Sequence, residues 1–161
     1  MVGSQHQYRF FNVNNVLFDI PSNVYDDSVV DGWFRNIARE GQKLDKWVIL
    51  SIPDKSLTIT HTAASQLCSR LPFLRTYGCL GFLLLANHVN AKIFQHSLRA
   101  TPPNFDIQVS ESMEQLCHAI SSREELLCAP PLPARGFAIC DRKEADGSEK
   151  HRENVSLTLG T

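Results

Sequence analysis

Three apolar runs limit what this chain can become: "WVILSI" at 47–52, "GFLLLA" at 81–86 and "FDIQVS" at 105–110. The first two are almost free of polar residues. A strand that is apolar on both sides must be covered on both faces, which is the habit of strands in a parallel sheet. Helix-length segments separate the runs, as parallel pairing requires. Two more strand-like runs come first, "YRFFNV" at 8–13 and "NVLFDI" at 15–20. They meet near Asn14 and Asn15, and their closeness predicts an antiparallel hairpin.

The intervening segments carry helical periodicity. Val30, Trp33, Phe34, Ile37 and Gly41 share one face, preceded by Asp26, Asp27 and Ser28 as capping residues. Ala63, Leu67, Leu71 and Leu74 share another, with Pro72 ending or kinking that helix near Leu71. A third helix runs from Asn90 to about Leu98, burying Ile93, Phe94 and Leu98. A fourth starts at Ser112, with Gln115 in a capping-box position and Met113, Leu116, Cys117 and Ile120 facing inward. The predicted order is β-β-α-β-α-β-α-β-α. It describes an α/β fold with a mixed sheet of about four to five strands and helices packed on it. The "WVILSI" and "GFLLLA" strands are expected adjacent, parallel and central. Trp33, Ile37, Leu50, Leu67, Leu83 and Leu116 are expected in the core.

Residues 1–7 read as an N-terminal extension, 8–122 as the domain and 123–161 as a tail. The tail holds the Pro-rich "APPLPARGF" and the charged "CDRKEADGSEKHREN", which have little apolar surface to offset their ordering entropy. The formal net charge of -1 argues against a nucleic-acid partner. No run approaches the roughly 20 apolar residues that span a bilayer, so no membrane insertion is expected. No secretion signal is visible in "MVGSQHQYRF". The five cysteines, an odd set without a CxxC pair, therefore read as reduced thiols of a cytoplasmic protein.

Motifs for catalysis are absent: no GxGxxG, GxxxxGK[ST], HExxH or GxSxG occurs. The histidines at 6, 61, 88, 96, 118 and 151 show no metal-ligand spacing, so neither metal nor cofactor is expected. Cys68 and Cys117 fall on or beside apolar helix faces, where cysteine is usually buried and inert. Asp54 and Lys55 close the "WVILSI" strand, a place where α/β proteins keep functional groups, although a solvated loop explains them as simply. The stretch "ITHTAASQLC" at 59–68 is the most specific. Thr60 or Thr62 can cap the helix that follows, a role worth about 1 kcal/mol that needs no function.

The element order, together with "HTAASQL", resembles the STAS domain, the sulphate-transporter and anti-sigma-factor-antagonist family. In that family a parallel strand leads through a loop to a helix opening on Asp, Ser or Thr, a small residue and Gly. Here the strand is "WVILSI". Thr62 falls where the family carries its hydroxyl, Ala63 at the small residue, and Gln66 and Leu67 continue a common ending. His61 stands where the family usually has Asp, Ala64 where it has Gly, and Ser65 where it has an apolar residue. The likeness runs on through "GFLLLANHVNAKIFQHSL" and "FDIQVSESMEQLCHAI", covering residues 8 to 122.

The resemblance implies a non-enzymatic protein–protein interaction module in bacterial signalling or regulation. It implies a phosphoacceptor at Thr62 and a docking surface around Asp54, Lys55, Ser56, Thr60, His61 and Ser65. The implied partner is a kinase-like or anti-sigma-like regulator, or a transport or signalling assembly. Two other classes compete. A small-molecule or lipid-binding α/β domain would need an apolar pocket between sheet and helices. An enzyme would need an activated thiol at Cys68 or Cys79, or an unrecognised hydrolase site.

Overall fold

Tyr8–Val13 (β1) and Val16–Pro21 (β2) form the expected antiparallel hairpin, with Val13 opposite Val16. The two-residue turn places Asn14 at a φ of 51°, a left-handed conformation that asparagine tolerates well. A short strand, Val24–Tyr25 (β3), and the helix Asp27–Gly41 (α1) follow. Asp26 caps α1 by accepting from the Ser28 amide at 3.0 Å. Then come Trp47–Ser51 (β4), the two-residue Thr58–Ile59 (β5) and the helix His61–Arg70 (α2). At Pro72 the helix tightens into a 3-10 segment, Leu71–Tyr77. Cys79–Leu85 (β6), His88–Leu98 (α3), Asp106–Ser110 (β7) and Met113–Ser121 (α4) complete the order. This computed structural model describes residues 7–99, 101, 104–123 and 126. The chain divides into units 1–131 and 132–161, and the second lies outside the described residues. So does the expected tail, apart from Arg123 and Leu126. Arg123 donates to the Asp106 carboxylate, and Leu126 packs against the core.

The main sheet is mixed and five-stranded, in the order β1-β2-β4-β6-β7. β2, β4, β6 and β7 run parallel, and β4 and β6 lie side by side at its centre. Alternation along the strands divides the core into two layers. Val48, Leu50 and Leu83 face Leu116 of α4. On the opposite face the Trp33 ring of α1 meets Phe82 edge-on at 6.2 Å between centroids. Trp33, Ile37, Leu50, Leu67, Leu83 and Leu116 are all buried. β3 and β5 pair in parallel as a separate two-residue ribbon.

The short strands β3 and β5 were not expected, α3 starts at His88 and not at Asn90, and three details of side-chain placement also differ from the sequence reading. Cys117 is exposed, because α4 buries only Leu116 and lays its other apolar residues along the rim. α3 buries Asn90, Ala91, Phe94 and Ser97, while Ile93 and Leu98 are half-buried. Gln115 does not complete a capping box. The Ser112 hydroxyl accepts from its amide at 3.4 Å, while the Gln115 side chain instead accepts from the Ser110 hydroxyl at 2.7 Å.

Two glycines are fixed by close approach. Gly78 has a φ of 86°, and a Cβ there would lie 2.1 Å from the Asp45 carbonyl oxygen. A Cβ on Gly41 would sit 2.0 Å from Trp47 Cζ2. The Trp47 ring cannot retreat, since it is fully buried and its Nε1 donates to the Tyr77 carbonyl at 2.7 Å. Gly→Ala within a helix ordinarily gains about 0.5–1 kcal/mol. At Gly41 the sign should reverse, with Gly41→Ala losing about 1–3 kcal/mol through overpacking. Urea unfolding of parent and variant measures this, and a stabilised variant would refute the packing.

Candidate functional site

The α2 N-terminus is built by the strand before it. β5 pairs with β3, and the Thr60 amide donates to the Tyr25 carbonyl at 3.2 Å, which holds Thr60 extended at φ -78° and ψ 155°. From there its Oγ1 accepts from the Ala63 amide at 3.1 Å. Thr60 is thus the cap. Thr62 is the second helical residue, exposed, and its hydroxyl is not engaged in capping. His61 and Ser65 are exposed on the same end of α2. The His61 ring stands perpendicular to that of His96 on α3, with centroids 6.5 Å apart. No acidic residue occupies the first turn of α2.

Asp54, Lys55 and Ser56 are also exposed but belong to a different local structure. Asp54 Oδ1 accepts from the Ser56 amide at 2.9 Å, and the Asp54 amide donates to the Pro21 carbonyl at 2.8 Å. Ser56 Oγ accepts from the Asn23 amide at 3.1 Å. The bond from the Ser56 amide holds the Asp54 carboxyl below its ordinary pKa. These contacts tie the turn to the corner between β2 and β3. The structure therefore gathers Thr60, His61, Thr62 and Ser65 at one helix end and anchors Asp54, Lys55 and Ser56 elsewhere.

A second cluster escaped the sequence reading. Asp19 of β2 is only 2% exposed. Its Oδ2 accepts from the Ser51 hydroxyl of β4 at 2.9 Å, while Oδ1 has no partner among the described residues. The Tyr25 hydroxyl and Trp33 Nε1 are likewise buried without a hydrogen-bond partner among the described residues. All four side chains line one cavity at the carboxyl ends of β2, β4 and β6, closed by Pro21, Leu57, Ile59, Leu67, Phe82, Leu84 and Phe94. Burial pushes the Asp19 carboxyl up to about 7, and the Ser51 hydroxyl and Trp33 indole offset this only in part. The indole N–H favours the anion from a geometry that does not close a hydrogen bond. Burial, with the nearby Asp19 charge, also drives the Tyr25 phenol upward. The signal was present in "NVLFDI": period-two alternation places Asp19 on the same face as Leu17, which is 2% exposed.

Burial raises the Cys68 thiol to about 11 and the Cys79 thiol to about 12, so both are protonated at neutral pH. Among the described residues no group of three or more His, Cys, Asp or Glu side chains is placed to hold a metal ion. Nor is any helix among them long and apolar enough to cross a membrane. Comparison with known proteins matches this chain to no family model, no curated protein and no solved structure.

Proposed function

We propose that this chain is a non-enzymatic protein–protein interaction module of the STAS type, cytoplasmic, and switched by phosphorylation at Thr62. The observation that carries this reading is an exposed hydroxyl one residue inside a helix N-terminus that another residue already caps. Because Thr60 supplies the cap, Thr62 is available for modification without loss of helix stability. A phosphate there adds about -1.5 to -2 charges. Free N–H groups and the positive end of the helix dipole hold such a charge, and no acid in the first turn opposes it. The main-sheet strands and the four α-helices follow the order that suggested the STAS resemblance, with the short strands β3 and β5 added to it. The high thiol pKa values of Cys68 and Cys79 speak against a thiol enzyme. The partner in this reading is a kinase-like or anti-sigma-like regulator, or a transport or signalling assembly, that docks over Thr60, His61, Thr62 and Ser65. Asp54, Lys55 and Ser56 form a second contact, held in place by the turn at the β2–β3 corner.

The two threonines separate the structural role from the regulatory one. Thr60→Ala should lower stability by about 1 kcal/mol, the worth of a cap. Thr62→Ala should change it by less than about 0.5 kcal/mol. Thr62→Glu should keep the melting temperature within a few degrees and weaken partner capture about tenfold, or ~1.4 kcal/mol. The experiment compares parent and Thr62→Glu baits in quantitative pull-downs from the source cells, with phosphopeptide mapping of the same extract. Equal capture by both baits, with no phosphate at Thr62, would remove the regulatory role.

A further inference from the structure

We propose that the outer edge of β1 is a self-association surface, on which β1 of a second copy of this chain pairs antiparallel and joins the two sheets into one. The proposal goes beyond the docking role and holds whether or not Thr62 is ever modified. β1 is an edge strand of the main sheet. Its register with β2 runs unbroken from Tyr8 to Val13. The two-residue turn makes Val13 and Val16 a hydrogen-bonded pair, and the Ser22 amide donates to the Gln7 carbonyl at 2.8 Å. Odd-numbered residues therefore direct their backbone groups to β2. The N–H and C=O groups of Tyr8, Phe10 and Asn12 point outward, with no partner among the described residues. Natural sheets usually blunt such an edge with a lysine, a proline or a bulge. The strand "YRFFNV" has none of these, and its Phe11 and Val13 are 47% and 54% exposed.

The occupant follows from the strand itself, because β1 is its own complement. Antiparallel pairing sets outward residues opposite outward residues, so a two-fold pairing can be centred on Arg9, Phe10 or Phe11 in the middle of the strand. Centred on Phe10, it sets Tyr8 opposite Asn12 of the second copy, Phe10 opposite Phe10 and Asn12 opposite Tyr8. Every outward backbone group of Tyr8, Phe10 and Asn12 is then bonded. Centred on Arg9, it sets the two arginines face to face, and like charges directly opposite destabilise a sheet. Centred on Phe11, it sets Tyr8 opposite Asn14, which leaves the strand at a φ of 51°. The Phe10 register also suits both faces of the sheet. On the α1 side, where the Tyr8 hydroxyl accepts from Asn36, Phe10 is stacked on Tyr8 at 5.1 Å and meets Phe10 of the second copy. On the other side Phe11 is stacked on Phe18 at 4.7 Å, and Arg9 of the second copy lies opposite it, a guanidinium beside an aromatic pair. An unrelated strand would have to supply this pattern, whereas a second copy carries it already.

The test uses the full chain and reads its mass by sedimentation equilibrium from micromolar to near-millimolar concentrations. The mass should rise with concentration toward twice the 18.1 kDa of one chain. Amide exchange at Tyr8, Phe10 and Asn12 should slow as the dimer forms, while Arg9 and Phe11, already bonded to β2, change less. Phe11→Arg and Phe11→Glu both lose the ring stack on Phe18. The arginine comes opposite Arg9 of the second copy and the glutamate pairs with it, each twice across the two-fold. The Glu variant should therefore associate at least about tenfold more tightly than the Arg variant, with the gap narrowing at high salt. Asn12 is exposed, and Asn12→Pro removes only an outward N–H. It should weaken association about fivefold or more, which keeps the test decisive if the Phe11 variants do not fold. The proposal is overturned if the chain stays monomeric over the whole range, if a dimer forms without slowing those three amides, or if the Arg and Glu variants associate equally.

Discussion

Asp19→Asn should make the protein more stable than its parent at about pH 8 and flatten the dependence of stability on pH between about 4 and 7. The cause is the mismatch between folded and unfolded states. In the unfolded chain the Asp19 carboxyl titrates at its ordinary value of 3.8, whereas burial raises it to about 7 in the fold. Between those values the native state holds a proton that the unfolded state has released. Stability therefore falls as pH rises through this window and levels off above about 7. A shift of about three units corresponds to roughly 4 kcal/mol. No basic group is among the influences on Asp19, so nothing positive offsets the buried anion. Asparagine has the same shape, keeps an acceptor for the Ser51 hydroxyl and carries no charge at any pH. The carboxyls of Asp26 and Asp54, whose pKa values are lowered by hydrogen bonds, act in a separate window: their contribution is present above about 4 and lost below it. Urea unfolding at about pH 5, 6.5 and 8 measures the effect. A parent protein equally stable at all three would mean that Asp19 is either solvated or paired.

The same residue shows where sequence reasoning stops. The apolar strands were legible because β4 and β6 are covered on both faces and their composition records it. The helices were legible from their period, and two caps, Asp26 and Ser112, from residue type. The ribbon of β3 and β5 was not. Two residues per strand hold no period, and their pairing joins segments more than thirty residues apart. That ribbon decides which threonine caps α2. Thr60 and Thr62 are equally good cap residues in isolation, and only the pairing of β5 with β3 leaves Thr60 extended and Thr62 helical. Asp19 was hidden for a related reason. Alternation places Asp19 on the face of Leu17, but only the parallel neighbour β4 and the covering α1 make that face buried. The cavity itself draws on seven strands and helices beyond β2, so no single segment announces it.

Leu83→Ala should cost about 2–5 kcal/mol, toward the upper part of that range. The size of the loss depends on whether the surroundings can close over the space left behind. Leu83 is fully buried on β6, against Val48, Leu50 and Leu116. Its backbone is paired on both sides, opposite Leu50 of β4 and Gln108 of β7, so the strand cannot move inward. Only α4 is free to follow. Yet α4 buries a single residue, Leu116, in this same cluster, so shifting to fill the cavity would strip its one deep contact. The loss should therefore appear in two ways. The denaturation midpoint should drop, while the m-value, set by the surface exposed on unfolding, stays the same. Amide exchange in α4 should quicken more than in α1, which buries six residues including Trp33 on the other face. Leu83→Met, which nearly conserves volume, should cost less than about 1.5 kcal/mol and leave α4 protected. An Ala variant with an unchanged midpoint would show that α4 does not rest on Leu83, and the two-faced core would have to be redrawn.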